Sequence, residues 1–331
     1  MEWRNENSLE LGLDVLGSSF FMLTRYEEVV KQDRDEHNRF PAWASLAYQE
    51  GFLERPIIDE YVALLWAAMR RLWPGLRRRV SAYRLVLTHD VDRPFGVKGH
   101  NAKRIIGRVG GDVFRRKNPF LLMRRMGALC LPGTLGESLD PNNAFDWIMS
   151  QSEERGLQSE FYFMAGGSSR YDSNYDLFSP RVQRLLSRIA DRGHIIGLHP
   201  SYETMASPEL LAHEVITLQK ALERAGVSQT HLHGRQHYLR WQAETSWADW
   251  ESAGLAEDSS VGFADRVGFR AGSSRRYTAW SWQGRKAVNV IERPLIAMDG
   301  TLRSRKYMNM EQHKARILLN RLTTAVKRVG G

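Results

Sequence analysis

The hydrophobic positions of residues 140–226 repeat with a helical period in three separate segments. In each segment, apolar residues recur every three or four positions, a polar residue and a proline stand at the start, and a glycine follows the end. This order of N-cap oxygen, proline at the first helical position and terminal glycine is typical of α-helices. It predicts three helices, which begin at Asp140-Pro141, Ser179-Pro180 and Ser207-Pro208 and stop at Gly156, Gly193 and Gly226.

A short run rich in β-branched and aromatic residues follows each of these helices, at 160–164, 194–198 and 230–233. Similar runs begin at residue 85 and occupy 255–261 and 287–297. Strands that alternate with helices over short connections form parallel sheets with helical crossovers. We therefore expect an α/β fold, and more narrowly a distorted (β/α) barrel of about six or seven strands within residues 81–331.

Residues 1–80 form a separate block of the sequence. Residues 56–73 carry apolar side chains at helical spacing, and Pro74-Gly75 ends that pattern. No group of candidate catalytic residues stands out in this block. We expect a small, mainly helical accessory region at 1–80 with a packing or docking role.

The composition narrows the class of protein. The chain of 331 residues has 42% hydrophobic and 26% charged residues, a composition typical of folded soluble proteins. The single cysteine, Cys130, excludes an internal disulfide and a zinc site built from several thiolates. No apolar run reaches the length needed to cross a bilayer, and the first residues do not resemble a signal peptide, so a cytoplasmic location is predicted.

Positive charge is concentrated in residues 98–125, where nine Lys or Arg face one acid, Asp112, in a chain of net charge +9. A basic loop of this kind indicates contact with an anionic glycan or a membrane surface, and solubility alone is an equally favoured explanation. Aromatic residues do not interleave with the basic ones as they do in nucleic-acid-binding motifs, so no specific nucleic acid is expected.

Polar side chains follow several of the predicted strands at the point where each strand ends. The first strand, in residues 85–94, runs into His89, Asp90 and Asp92. The ends of parallel strands meet at one edge of the sheet or barrel, where the active sites of this architecture lie. We therefore expect a site that combines these residues with others that follow the later strands: His199, Arg235, His237 and Asp258.

Two of these segments resemble motifs of the polysaccharide deacetylase family, whose members remove acetyl groups from N-acetylated sugars with a divalent metal. Thr88-His89-Asp90-Val91-Asp92 is similar to its first motif, and residues 193–199 are similar to its Gly-His-Glu-Ile-Gly-x-His motif. The resemblance covers about residues 83–300. It implies that Asp90 is the general base and that Asp92 and His199 are metal ligands.

The resemblance also implies roles for residues of the later segments. The family's second metal histidine stands four residues after the first, a position held here by Glu203, and a carboxylate can replace imidazole as a ligand. The expected ion is zinc, with cobalt, nickel or manganese as alternatives. Arg235 would orient Asp90, and Asp258-Ser259-Ser260 is similar to a later Asp-Ser motif of the family.

Five further stretches carry a more specific likeness: 20–28, 197–202, 235–240, 268–272 and Met298-Asp299. They are similar to a branch found among bacterial polysaccharide-biosynthesis proteins, which carry an extra N-terminal region.

In the family, a closing strand supplies a histidine that acts as general acid. Here the chain continues into a helix at about 309–328, so that strand is expected to be missing. Either the sequence is a fragment, or another group such as His237 protonates the leaving amine.

Three aromatic residues near these motifs have two interpretations. Tyr202, Tyr238 and Trp241 are candidate walls on which a sugar could stack, and core packing is an equally favoured role for each. His194, which precedes its strand end, is expected to pack inside the fold rather than bind metal.

Together these features predict a hydrolase that acts on the carbon–nitrogen amide bond of an acetylated sugar, in a bacterial polysaccharide or its precursor. The alternative is a catalytically weakened member of the same fold that binds a glycan or assembles a biosynthetic complex. Glu203 and the missing histidine favour that alternative.

Overall fold

A computed structural model describes residues 2–5, 8–79, 82–96, 118–131, 133–173 and 175–331. These residues form two compact units. The first unit comprises Met1–Leu85, Pro200–Val215 and Thr230–Gly331, and the second comprises Val86–His199 and Ile216–Gln229.

The described residues contain nine strands and twelve α-helices. The strands are β1 (Glu2–Asn5), β2 (Ser8–Glu10), β3 (Leu87–Val91), β4 (Ser159–Phe163), β5 (Ile195–Leu198), β6 (His233–Gly234), β7 (Glu257–Asp258), β8 (Tyr277–Ser281) and β9 (Lys286–Glu292). The helices are α1 (Val15–Leu23), α2 (Tyr26–Val30), α3 (Leu46–Gln49), α4 (Ile57–Leu72), α5 (Pro119–Cys130), α6 (Gly133–Leu139), α7 (Phe145–Glu153), α8 (Pro180–Asp191), α9 (Pro208–Arg224), α10 (Ser246–Ala253), α11 (Asp299–Arg303) and α12 (Gln312–Val329). Short 3₁₀ helices occupy Ala42–Ala44, Tyr202–Ala206 and His237–Leu239.

The second unit is built on three parallel strands. β4 lies between β3 and β5, and in this register Val91 lies opposite Phe163, which lies opposite Leu198. Every residue of β4 is buried, as expected for a central parallel strand covered on both faces. The carboxyl ends of the three strands therefore meet at one edge.

Two of the three helices with an opening proline begin and end as predicted. α8 starts at Pro180 and α9 at Pro208, and Gly193 and Gly226 follow them with positive φ angles of 74° and 71°. On α8 the predicted apolar stripe is buried, which fixes the face that packs inward.

The third helix was predicted to begin at Asp140-Pro141, and this was wrong: α7 begins at Phe145. The carboxylate of Asp140 is 1% exposed and accepts hydrogen bonds from the backbone N–H of Gly96, at 2.9 Å, and of Asn142, at 3.0 Å. Because it anchors a loop in this way, it does not cap a helix.

In the first unit, β6, β7 and β9 are parallel, and β8 returns antiparallel to β9. β6 and β7 are much shorter than the predicted runs, and β8 was not predicted. Arg285, with φ of 49°, lies in the turn between β8 and β9. β9 ends at Glu292, two residues before Pro294, which cannot donate to a strand ladder. The α/β class with mostly parallel strands is thus confirmed, and barrel closure stays a prediction.

The N-terminal residues are mainly helical, as predicted, with one added hairpin formed by β1 and β2. They share a hydrophobic core with later parts of the first unit: Met22, Phe40 and Ile58 pack in one buried cluster with Phe263. This shared core supports the packing role expected for the region.

Helix α12 covers a second core cluster of the first unit. Its residues Leu318, Leu322 and Val326 pack with Phe269 and Leu302, and Phe269 is fully buried. The Arg275 side chain donates a hydrogen bond to the backbone oxygen of Val329, at 2.7 Å, near the end of the helix. The last helix is therefore an integral part of this unit.

Most of the basic segment at 98–125 lies outside the described residues, which resume at Asn118. Residues 119–125 were expected in a loop but form the first part of α5. Asn118 caps this helix by accepting from the N–H of Leu121, and Pro119 occupies the first helical position. None of the described helices combines the length and hydrophobicity needed to cross a bilayer.

A buried ion cluster ties the N-terminal helices to the 263–273 segment. The carboxylate of Glu28 accepts from Nε of Arg25 at 2.8 Å and from Nε of Arg270 at 2.9 Å, and all three side chains are at most 1% exposed. Burial alone would raise the pKa of Glu28, but Arg270 and Arg25 together lower it below its usual value. Glu28 therefore stays ionised between two guanidinium groups.

We expect Glu28→Ala to destabilise the protein by about 3–5 kcal/mol, because it leaves two buried guanidinium groups without their shared carboxylate. Urea unfolding monitored by tryptophan fluorescence measures the change. The control is Glu60→Ala, which removes an exposed pair with Arg55 and should cost about 1 kcal/mol or less. Equal losses in the two variants would contradict the importance of the buried cluster.

Candidate functional site

Two candidate metal ligands lie side by side at the carboxyl edge of the second unit. Asp92 directly follows Val91 of β3, and His199 directly follows Leu198 of β5. The backbone N–H of His199 donates to the oxygen of Phe163, at 2.8 Å, which extends the strand ladder by one step. The register of the three strands thus fixes both positions.

The two side chains face each other. Oδ1 of Asp92 lies 3.4 Å from Nε2 of His199, and both belong to the group of potential metal-binding residues in the described chain. Two ligands of a tetrahedral zinc ion, bound at about 2.0–2.2 Å, are separated by about 3.4 Å. The imidazole is 3% exposed and the carboxylate 51%, so one donor is held rigidly inside and the other opens to solvent.

Asp90 and His89 point to opposite faces of β3. Side chains alternate along a strand, so Asp90 shares the face of Asp92. Asp90 is exposed, whereas His89 lies within 3.1 Å of the Ser159 hydroxyl and stacks on Phe161 with ring centroids 5.0 Å apart. His89 therefore packs on the other side of the strand from the two carboxylates.

Tyr175 braces the strand ends beside Asp92, a contact that was not predicted from the sequence. Its hydroxyl donates to the backbone oxygen of Val91 and accepts from the N–H of Met164, both at 2.8 Å. Burial raises the pKa of this phenol well above its usual value, and the nearby Asp92 charge adds to the shift. A neutral hydroxyl thus ties the end of β3 to the end of β4. The residue lies in an irregular loop without a motif, so no sequence pattern marks it.

His194 packs inside the second unit, as predicted. Its Nδ1 accepts a hydrogen bond from the backbone N–H of Ser159 at 3.0 Å, and its Nε2 lies 3.2 Å from a carboxylate oxygen of Glu153. Because both ring nitrogens already have protein partners, this imidazole has a structural role and offers no nitrogen to a metal ion.

In the first unit, Arg235 and Asp258 stand at the ends of β6 and β7. Arg235 is buried, and it donates from Nε to the Ser259 oxygen at 3.0 Å and from Nη2 to the Ser259 hydroxyl at 2.8 Å. Asp258 is fully buried and accepts from the backbone N–H of Ser260 at 2.9 Å. Burial raises the pKa of Asp258 to about 6, against the lowering effects of Ser260 and Arg235.

Glu203 and His237 also belong to the first unit. Glu203 is exposed in the first turn of the 3₁₀ helix Tyr202–Ala206. His237 is buried at the start of the 3₁₀ helix His237–Leu239, where its backbone N–H donates to Pro200 at 3.2 Å. Their predicted roles as ligand and general acid stay predictions.

The three predicted sugar-stacking residues differ in exposure. Trp241 is 1% exposed and packs against Trp247, with centroids 4.8 Å apart, so core packing is its role. Tyr202 is 8% exposed, and the guanidinium of Arg240 lies 3.7 Å from its ring centroid. Tyr238, at 36%, is the most exposed of the three.

Comparisons with known proteins cover different parts of the chain. Residues 2–74 match a family model described as a family of unknown function, DUF7033. No curated protein matches the chain.

A crystal structure from Mycobacterium smegmatis, titled as that of a "putative polysaccharide deacetylase", aligns with a TM-score of 0.42 and 15% identity, over 77% of this chain and 78% of that one. At this TM-score the likeness carries no argument about the fold or the function of this chain.

We expect Tyr175→Phe to destabilise the protein by about 1–3 kcal/mol, because the Met164 N–H and the Val91 oxygen lose their buried partner. Urea unfolding gives the value. Tyr61→Phe is the matched control, since the Tyr61 hydroxyl makes no hydrogen bond within the described residues. The bracing role would be wrong if both variants unfolded at the wild-type urea concentration.

Proposed function

We propose that this chain is a metal-dependent hydrolase that removes acetyl groups from N-acetylated sugars of a bacterial polysaccharide or its precursor. The observation that carries the proposal is the 3.4 Å separation of Asp92 Oδ1 and His199 Nε2 at one strand edge. Support also comes from the sequence, in which these residues occupy ligand positions of motifs similar to those of polysaccharide deacetylases. The proposal includes the (β/α) barrel typical of that family.

The donor set suits a divalent ion. Asp92 and His199 offer one carboxylate oxygen and one imidazole nitrogen, a combination that suits zinc and also cobalt, nickel or manganese. The sequence match assigns the next ligand to Glu203. When bound, such an ion would polarise the acetamide carbonyl and make a water molecule more acidic.

The remaining chemistry falls to side chains of the chain itself. Asp90, an exposed carboxylate on the same strand face as Asp92, takes a proton from the attacking water. A bond then forms between the water oxygen and the acetyl carbon, the carbon–nitrogen bond breaks, and acetate and a free amine leave. His237 donates the proton that the amine requires, and Arg235 orients Asp90. The role of Arg235 rests on the sequence match, and His237 is assigned in place of the histidine that a closing strand supplies in the family.

The substrate class follows from the same reasoning. An N-acetylated sugar offers the amide bond that this chemistry cleaves, and Tyr238 offers an aromatic face on which a sugar ring can pack. We assign the basic residues of 98–125 to an anionic glycan or a membrane surface, as their charge indicates.

A second candidate function is a glycan-binding or scaffolding protein with weakened catalysis. Glu203 favours it, because a carboxylate replaces the expected histidine at that position. A protein of this kind would bind the sugar but release acetate very slowly at any metal concentration.

The ligand assignment predicts metal content. Asp92→Ala and His199→Ala should each weaken zinc binding by about 100-fold or more, whereas His313→Ala, at an exposed histidine, should bind like wild type. Competition with a chromophoric chelator measures the affinity. Glu203→Ala and His237→Ala, tested in parallel, identify the next ligand. Wild-type zinc affinity in both Asp92→Ala and His199→Ala would overturn the proposed centre.

The base assignment predicts a separation of binding from turnover. Asp90→Asn should keep the wild-type zinc affinity and lower acetate release from N-acetylglucosamine oligomers by about 10²- to 10⁴-fold, because the amide cannot accept the proton of water. Asp176→Asn, at an exposed aspartate in the same unit, is the control and should keep full activity. Full activity of Asp90→Asn would exclude it as the base.

A further inference from the structure

Two acidic side chains meet inside the first unit at the carboxyl ends of neighbouring strands. β7 and β9 are parallel, and Asp258 lies directly opposite Glu292 in their register. Strands in a sheet lie about 4.8 Å apart, so the two side chains leave the sheet as close neighbours. Both residues are 0% exposed.

The hydrogen bonds around this carboxyl pair come from neutral groups. Oδ1 of Asp258 accepts from the N–H of Ser260, at 2.9 Å, and from its hydroxyl, at 2.5 Å. Glu292 accepts from Nε1 of Trp247, at 3.1 Å, and from the N–H of Val261, at 3.3 Å. Oδ2 of Asp258 is buried and has no hydrogen-bond partner among the described residues.

Neither carboxyl group forms an ion pair with any residue of the described chain. Two ionised carboxylates at this depth, side by side and without a cation in contact, would be very costly. A single proton held between them neutralises one group and forms an O–H···O hydrogen bond, which is among the strongest in proteins. That bond would also give the buried Asp258 oxygen its missing partner.

We propose that Asp258 and Glu292 share one proton at neutral pH, and that this pair fixes the Ser259–Ser260 turn that holds Arg235. Both carboxyl groups are buried, so they act as positioning residues and do not touch substrate.

The electrostatic environment supports a shared proton. Burial raises the pKa of Asp258 to about 6. Burial, and then the Asp258 charge, raise the pKa of Glu292 well above its usual value. The charged and titratable groups that face the pair from the other elements are Arg235 after β6, Arg270 before β8 and Tyr277 on β8.

The turn links the pair to Arg235. Ser260 donates to Asp258, and its hydroxyl oxygen accepts from the backbone N–H of Gln236 at 2.9 Å. Ser259 accepts from Arg235 through both its backbone oxygen and its hydroxyl. The importance of Arg235 rests on the proposed function, but the proton and the turn do not.

Infrared spectroscopy tests the proton without substrate or metal. At pH 7 exposed carboxyl groups are ionised, so a carbonyl band of a protonated carboxyl group reports a buried one. Wild type should show this band, and both Glu292→Gln and Asp258→Asn should lack it. Glu223→Gln, at an exposed glutamate on α9, should keep the band. A wild-type protein without the band at pH 7, or a band that survives both substitutions, would overturn the shared proton.

Thermal unfolding gives a second measurement. A carboxyl group whose pKa is higher in the folded protein than in the unfolded chain stabilises the fold at low pH. This contribution to the free energy of unfolding is lost as pH rises through the folded pKa. Between pH 5 and pH 8 the Tm of wild type should therefore fall by about 2–4 °C more than that of Glu292→Gln. A parallel pH dependence of the two proteins would contradict the proposal.

Hydrogen exchange tests the turn. In Glu292→Ala the amides of residues 235–236 and 259–261 should exchange about tenfold faster or more than in wild type, and Glu292→Gln should restore protection because its amide can donate to Asp258. Unchanged protection in Glu292→Ala would show that the pair does not hold the turn. If wild type passes all three tests but releases no acetate, the carboxyl pair stands and the hydrolase proposal fails.

Discussion

The register of three parallel strands is the constraint on which the candidate metal centre depends. Asp92 and His199 are neighbours because Val91, Phe163 and Leu198 lie in one row across β3, β4 and β5. A shift of one residue in either pairing would turn one ligand to the opposite face of the sheet. The full burial of β4 makes such a shift costly, since five apolar or hydrogen-bonded side chains would lose their places at once.

The first unit shows two ways of keeping a carboxyl group inside a protein. Glu28 lies between two guanidinium groups and stays ionised, whereas Glu292 has neutral donors and a second acid beside it. Both glutamates are fully buried, yet the pKa of Glu28 is lowered by its two arginines and that of Glu292 is raised. What decides the direction of the shift is the charge of the nearest partner.

The sequence predicted those features that depend on local chemistry. Helices α8 and α9 begin at a proline and end before a glycine, and the strand ends that carry Asp92 and His199 stand out because acids and a histidine interrupt apolar runs. These signals lie within a few residues of one another. They sufficed to propose a pair of ligands that the structure brings within 3.4 Å.

Features that depend on distant partners could not be predicted. Tyr175 braces Val91 from 84 positions away, and Glu292 meets Asp258 only through the pairing of β7 with β9. Asp140 has the sequence of a helix cap, yet a backbone N–H from residue 96 takes its carboxylate. The burial of Trp241 likewise follows from Trp247 and its other neighbours rather than from its own position in a motif.

The docking of α12 has a practical consequence for work on this protein. The buried face of α12 covers Phe269 and Leu302. A version of the chain shortened before residue 312 would therefore expose a hydrophobic surface to water. Aggregation of such a truncated protein would result from this exposed hydrophobic patch and would not indicate a defect of the metal centre. A shortened version of the chain should therefore keep residues 312–329.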